Sequence, residues 1–96
     1  MTHSLVLSKA AENDITAAFL WYECERGGLG IIFEKQISKA IESISDNPLK
    51  IQIRYNNVRV SFLKKFPYGI HYIVVANKIL IIAVFHTSQN SDKWPV

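Results

Sequence analysis

The sequence predicts an α+β fold, a helical hairpin packed on a small, mainly antiparallel sheet in the order β-α-α-β-β-β. Three observations lead there. Apolar residues recur at helical spacing from Ser8 to Asp46, interrupted at Gly27-Gly28. After Pro48 the repeat shortens from helical to alternating. Two turn sites, Phe66-Pro67-Tyr68-Gly69 and Asn77-Lys78, then divide that half into strands. With 96 residues and 11.0 kDa there is room for one domain, spanning 1–96.

Each element has its own signal. Leu5, Val6 and Leu7 form a short apolar segment within Thr2–Leu7 that reads as a first strand. Ser8 stands at an N-cap position, and Glu12 and Asp14 lie early in the helix that follows, where its dipole favours acids. Ile15, Ala18, Phe19 and Tyr22 give that helix its apolar stripe, and Gly27-Gly28 ends it. A second helix begins near Leu29 or Gly30, buries Phe33, Ile37, Ala40, Ile41 and Ile44, and stops at Asn47-Pro48, because the residue before proline disfavours helix. Val58, Val60 and Phe62 alternate with Arg59, Ser61 and Leu63 as a half-buried strand beginning near Asn57. Ile70, Tyr72 and Val74 oppose His71, Ile73 and Val75 in the next, and Ile79 to Phe85 is the most apolar strand. Ile51-Gln52-Ile53 also has an extended character, without a readable register.

Composition narrows the function classes. Hydrophobic residues at 49% with 20% charged describe a globular chain rather than a disordered one. Cys24 is the single cysteine, which excludes an internal disulfide framework and a cysteine zinc cage and suits a reducing, cytoplasmic setting. The residues before Ser8 are too few for a signal peptide. The seventeen residues from Gly69 to Phe85 are mostly apolar, but Asn77-Lys78 near their centre and their β-branched content predict a buried hairpin, not a membrane span. Charge is divided unevenly: residues 1–48 hold four basic and seven acidic side chains, a net of −3, whereas 49–96 hold seven against one, a net of +6. A basic half of this kind suits a phosphate backbone or an acidic protein segment.

No metal or cofactor motif is present. His3, His71 and His86 are scattered without ligand spacing, and Gly27-Gly28-Leu29-Gly30 follows a helix, where a dinucleotide fingerprint follows a strand. Glu23 and Glu25, at a helix end, read as solvated charges. Candidate chemistry is concentrated in Arg54, Arg59, Lys64, Lys65, His71 and His86 on adjacent strands. Such groups supply the proton acceptor, proton donor and phosphate-binding cations of metal-free RNA cleavage. The alternation suggests that they converge on one face; the same face would equally dock an acidic partner. Candidate catalytic residues are thus Arg59, Lys64, Lys65, His71 and His86. Candidate partner contacts are Trp21, off its helix's main stripe, with Arg54, Arg59, Lys64 and Lys65.

Several segments together carry a family resemblance. Ala11-Glu12-Asn13-Asp14 running to Trp21-Tyr22-Glu23, Gly28-Leu29-Gly30 to Phe33, and Ile44-Ser45-Asp46-Asn47-Pro48 are followed by Val58-Arg59. Then come Leu63-Lys64-Lys65-Phe66-Pro67-Tyr68-Gly69-Ile70-His71-Tyr72, Ala83-Val84-Phe85-His86 and a late Trp94. In order and spacing this resembles the RelE/ParE superfamily of toxins from bacterial type II toxin–antitoxin modules. The resemblance implies a small intracellular toxin neutralised by a cognate antitoxin, with no cofactor. It also implies either a ParE-like inhibitor of DNA gyrase or a RelE-like endoribonuclease acting on mRNA in the ribosome. A third expectation is an inactive homologue that only binds antitoxin. The chain departs from the superfamily pattern at His86-Thr87-Ser88-Gln89, where relatives commonly carry His-x-x-Arg, and at Gly69 and Ile73, where they often carry arginine. Glutamine cannot stabilise a phosphorane dianion as arginine does, so the gyrase inhibitor is the first expectation.

Overall fold

In the computed structural model, which describes residues 4–88, β1 (Ser4–Leu7) leads into α1 (Lys9–Glu25) and α2 (Leu29–Asp46). Four strands follow: β2 (Ile53–Tyr55), β3 (Val58–Phe62), β4 (Tyr68–Val75) and β5 (Lys78–His86). The sheet order is β1-β5-β4-β3-β2, parallel between β1 and β5 and antiparallel elsewhere. The architecture expected from the sequence is therefore present with one strand more. The added element is β2, which pairs Ile53 with Arg59 and Tyr55 with Val58 around Asn56-Asn57. Asn56 takes a left-handed φ of 46°, which asparagine tolerates because its short polar side chain bonds locally. The apolar run Gly69–Phe85 falls in the β4–β5 hairpin. No helix among the described residues is long and apolar enough to cross a membrane.

The two helices cover one face of the sheet. Ala11 and Ala18 of α1, Phe33, Ile37 and Ile44 of α2, and Ile70, Tyr72, Ile79, Ile81 and Val84 of the sheet form the core, with Leu5 and Leu7 at its edge. Phe66, in the β3–β4 loop, inserts between the helices. Its ring stands 4.9 Å from that of Tyr22 and 5.2 Å from that of Phe33, edge-on to both. The Tyr72 hydroxyl donates to the Pro48 carbonyl at 2.9 Å and so ties the exit of α2 to the sheet.

A bulge in β5 decides which side chains reach which face. Tyr72 pairs with Ile81, but its neighbour His71 pairs with Ala83, so Ile82 is an extra residue. Without it, alternation from Ile79 and Ile81 would carry Phe85 to the helix side. With it, Val84 faces the helices and Phe85 the open face. β1 ends at Leu7, opposite Ile81, and α1 takes over the edge of β5 from there. The Ser8 backbone N–H donates to Ile81, the Ser8 hydroxyl donates to the Ile82 carbonyl at 3.2 Å, and the Val84 N–H donates to the Asp14 carboxylate at 2.9 Å. The Ser8 oxygen also accepts from the Ala11 N–H at 3.0 Å, the N-cap expected from the sequence.

Glu23 is a structural residue, a role its charge alone did not reveal. Gly28, at φ 90°, is the N-cap of α2 and offers no side chain to the first turn. The Glu23 carboxylate reaches across and accepts from the Gly28 N–H at 2.8 Å and the Gly30 N–H at 2.9 Å. Gly30 lets the helices approach this closely: a Cβ there would stand 2.6 Å from the Phe19 carbonyl oxygen and 2.8 Å from the Glu23 carboxylate. Replacing Glu23 by alanine leaves two helix-start donors without this partner. We expect it to lower unfolding free energy by about 1–2 kcal/mol in urea titrations, with Glu23→Gln retaining part of the loss.

Candidate functional site

The open face of the sheet carries a basic and aromatic cleft of about 200 Å³, lined by Arg54, Phe62, Gly69, His71, Phe85, His86 and Thr87. Register explains the set. Val60 pairs with His71, Phe62 with Gly69, and Gly69 with Phe85, so Phe62, His71 and Phe85 point away from the helices. The Arg54 guanidinium lies over the Phe62 ring, 5.2 Å from its centroid, which fixes a cation at the mouth. His71 forms the floor. It is only 2% exposed, its Nδ1 shares a 2.9 Å hydrogen bond with the Tyr55 hydroxyl, and its ring meets those of Tyr55 and Phe85 edge-on.

Burial, and secondarily the Arg54 charge, lowers the His71 pKa to about 4. His71 is therefore neutral at physiological pH. Burial also pushes the Tyr55 phenol up, so both members of the pair are uncharged. His86 stands at the rim, its ring 5.2 Å from that of Tyr68, and its Nδ1 accepts from the Ser88 N–H at 3.0 Å.

The remaining sequence candidates lie elsewhere. Arg59 pairs with Tyr72 and so shares the helix side of the sheet, opposite His71; its guanidinium donates to the Ile51 carbonyl. The expected convergence on one face is thus split by strand alternation. On β3 the apolar residues Val58 and Val60 face away from the helices, and Arg59 and Ser61 face toward them. Lys64 and Lys65 lie in the β3–β4 loop and line a second cleft of about 500 Å³ against α2, with Gln36, Lys39, Ala40, Ser43, Ser61, Phe62 and Leu63. Trp21 is 58% exposed on α1. It borders a third depression with Asp14, Ala17, Ala18, Tyr68, Val84 and Phe85, in which burial raises the Asp14 pKa and the Val84 hydrogen bond partly offsets that.

Sequence reasoning missed Tyr55, Phe62, Phe85 and Lys39 as site residues. The first belongs to the unanticipated strand β2. Phe62 and Phe85 read as core, and Lys39 sits in the half of the chain with net negative charge. His3, Gln89 and Trp94 lie outside the described residues. Among those described, no three histidine, cysteine or acidic side chains gather as metal ligands would.

A helical hairpin on one face of a five-stranded, mostly antiparallel sheet is a fold this chain shares with solved chains of toxin–antitoxin systems. A chain of the chromosomal ParDE toxin–antitoxin system from P. aeruginosa superposes with a TM-score of 0.80 at 18% identity, over 90% of this chain and 97% of that one. A chain of the toxin–antitoxin complex RelBE2 from Mycobacterium tuberculosis superposes with a TM-score of 0.63 at 13% identity, over 90% and 99%. At these identities the likeness is one of fold. No curated protein matches the sequence. The family model for the ParE toxin of the type II toxin–antitoxin system parDE matches residues 5–91, and the chain belongs to that family.

The buried neutral imidazole has a measurable consequence. The unfolded state binds a proton at His71 below about pH 6.5, and the folded state only below about 4, so stability falls as pH drops through that window. Between pH 7 and pH 5 we expect a loss of about 1–2 kcal/mol in urea unfolding. Removing the titrating group with His71→Gln should flatten the curve. An unchanged slope in the variant would assign the loss to other groups.

Proposed function

We propose that this ParE-family protein is a toxin that acts by binding, as a ParE-like inhibitor of DNA gyrase, and that a cognate antitoxin neutralises it. One observation carries the reading: the groups that a metal-free phosphodiester cleavage would use are dispersed. Arg59 is on the helix side of the sheet, Lys64 and Lys65 are against α2, and His71 is buried on the other face with its pKa near 4. General acid–base chemistry works best with a pKa near the operating pH and within hydrogen-bond reach of the reacting oxygen. A buried imidazole bonded to Tyr55 is poorly placed for that work, whereas it stiffens a recognition surface. Exposed Trp21, Phe62 and Arg54 supply the residue types that dominate protein interfaces.

The match to the parDE family favours the gyrase reading. The antitoxin reading is further supported by the two solved relatives, both from toxin–antitoxin systems. The chain's net charge of +3 suits a partner segment of acidic character.

Purified protein should inhibit gyrase-driven supercoiling of relaxed plasmid, and the co-purifying product of the neighbouring small reading frame should relieve it. Lys64→Glu with Lys65→Glu should reduce growth arrest at least tenfold in plating efficiency, while His86→Ala should leave it within twofold. Full supercoiling at a large excess of protein would refute gyrase as the target. Loss of toxicity in His86→Ala, with fold and antitoxin binding intact, would favour the endoribonuclease instead.

A further inference from the structure

The bulge in β5 is read by one side chain. Ser8 donates through its backbone N–H to the Ile81 carbonyl at 3.0 Å and through its hydroxyl to the Ile82 carbonyl at 3.2 Å. In a regular strand successive carbonyls point to opposite sides, so one neighbour cannot receive two in a row. The extra residue turns both toward the start of α1. The Ser8 oxygen is itself held, because it accepts from the Ala11 N–H at 3.0 Å and Ala11 is fully buried in the core.

A second arrangement is open to the same sequence. Residues 79–85 are apolar throughout, so sliding the part of β5 beyond Ile81 by one position would remove the bulge and keep an apolar side chain at each of those places. Ile82 would then pair with His71, Ala83 with Ile70 and Val84 with Gly69. Val84 would pass from the helix side to the open face, and Phe85 the other way. Most bonds survive such a slide. The ladder to β4 joins backbone to backbone and re-forms. The Asp14 carboxylate meets the residue opposite Ile70, so it would accept from Ala83 in place of Val84. The Ser8 hydroxyl has no such substitute: in the regular strand the Ile82 carbonyl points at β4.

We infer that Ser8 is a positioning residue for the open-face cleft: its hydroxyl holds β5 in the bulged register and so sets Phe85, not Val84, beside His71. The two roles of the hydroxyl are separable. As acceptor it caps α1, and as donor it selects the register. A neutral hydrogen bond weights such an equilibrium by about twofold to tenfold. The choice reshapes the cleft, because the Phe85 ring meets the His71 ring edge-on at 5.1 Å and forms one wall. Valine in that wall leaves the ring contact unmade. This selection shapes the candidate site whichever partner the toxin takes.

NMR on the full chain tests this through the cross-peak between the rings of His71 and Phe85. Ser8→Asp keeps a capping acceptor and has no proton to donate, so about half or more of that cross-peak should be lost. A contact of the Val84 methyls with the Phe62 ring, which lies over Gly69, should replace it. Ser8→Thr keeps both roles and should leave the cleft's spectrum unchanged. Asp14→Ala removes an edge bond without selecting a register and should also leave it unchanged. Deleting Ile82 removes the residue that makes a slide possible, so in the Ser8→Asp background it should restore the ring contact. A folded Ser8→Asp variant with the ring cross-peak at full strength would overturn the proposal, as would an equal loss of that cross-peak in Asp14→Ala. Should Ser8→Asp fail to fold, the deletion decides: ring contact in the double variant supports the register role, and an unfolded double variant refutes it.

Discussion

The structure depends on the point where β1 ends and α1 begins. Strand β5 continues past its parallel neighbour, and a bare strand edge would leave polar backbone groups without a protein partner. Ser8 and Asp14 answer this from the helix. The Ser8 hydroxyl accepts from the Ala11 N–H and donates to Ile82, and the Asp14 carboxylate accepts from Val84. The bulge at Ile82 lies between those two contacts, and it turns Phe85 to the open face beside His71. The N-terminal end of one helix thus holds in place the strand distortion on which the open-face cleft depends.

Much of the fold was legible because its signals are local. The stripe Phe33, Ile37, Ile44 marks α2, Ser8 marks the start of α1, and Pro67 lies in the loop that precedes β4, although Tyr68 and Gly69 of the expected turn already belong to that strand, where Gly69 pairs with Phe62 and Phe85. The bulge was not legible. Ile79-Leu80-Ile81-Ile82-Ala83-Val84-Phe85 is apolar throughout, so a shift of one residue leaves no trace in the hydrophobic pattern. β2 was obscured for a different reason: three residues around a two-residue turn offer too few alternations to fix a register.

The candidate site was legible in residue types and not in arrangement. Alternation on β3 and β4 was visible, and it led to the expectation that Arg59 and His71 share a face. Their cross-strand partners place them on opposite sides. Sequence halves also misrepresented the charge, since Lys39 of the acidic half joins Lys64 and Lys65 of the basic half in one cleft. What results is a toxin-family fold with two separate cationic surfaces, one aromatic and partly closed by a neutral histidine, the other a lysine-rimmed groove. Separation of this kind suits two partners better than one reacting phosphate.

The central claim, that the protein binds and does not cut, is tested most directly in a bacterial cell-free translation reaction. Purified protein is added, and mRNA 5′ ends are mapped by primer extension. The account predicts uncut message and undiminished protein synthesis at concentrations that block gyrase. New 5′ ends in phase with codons, appearing only on translated message, would contradict it and make the open-face cleft the place to look for the reaction.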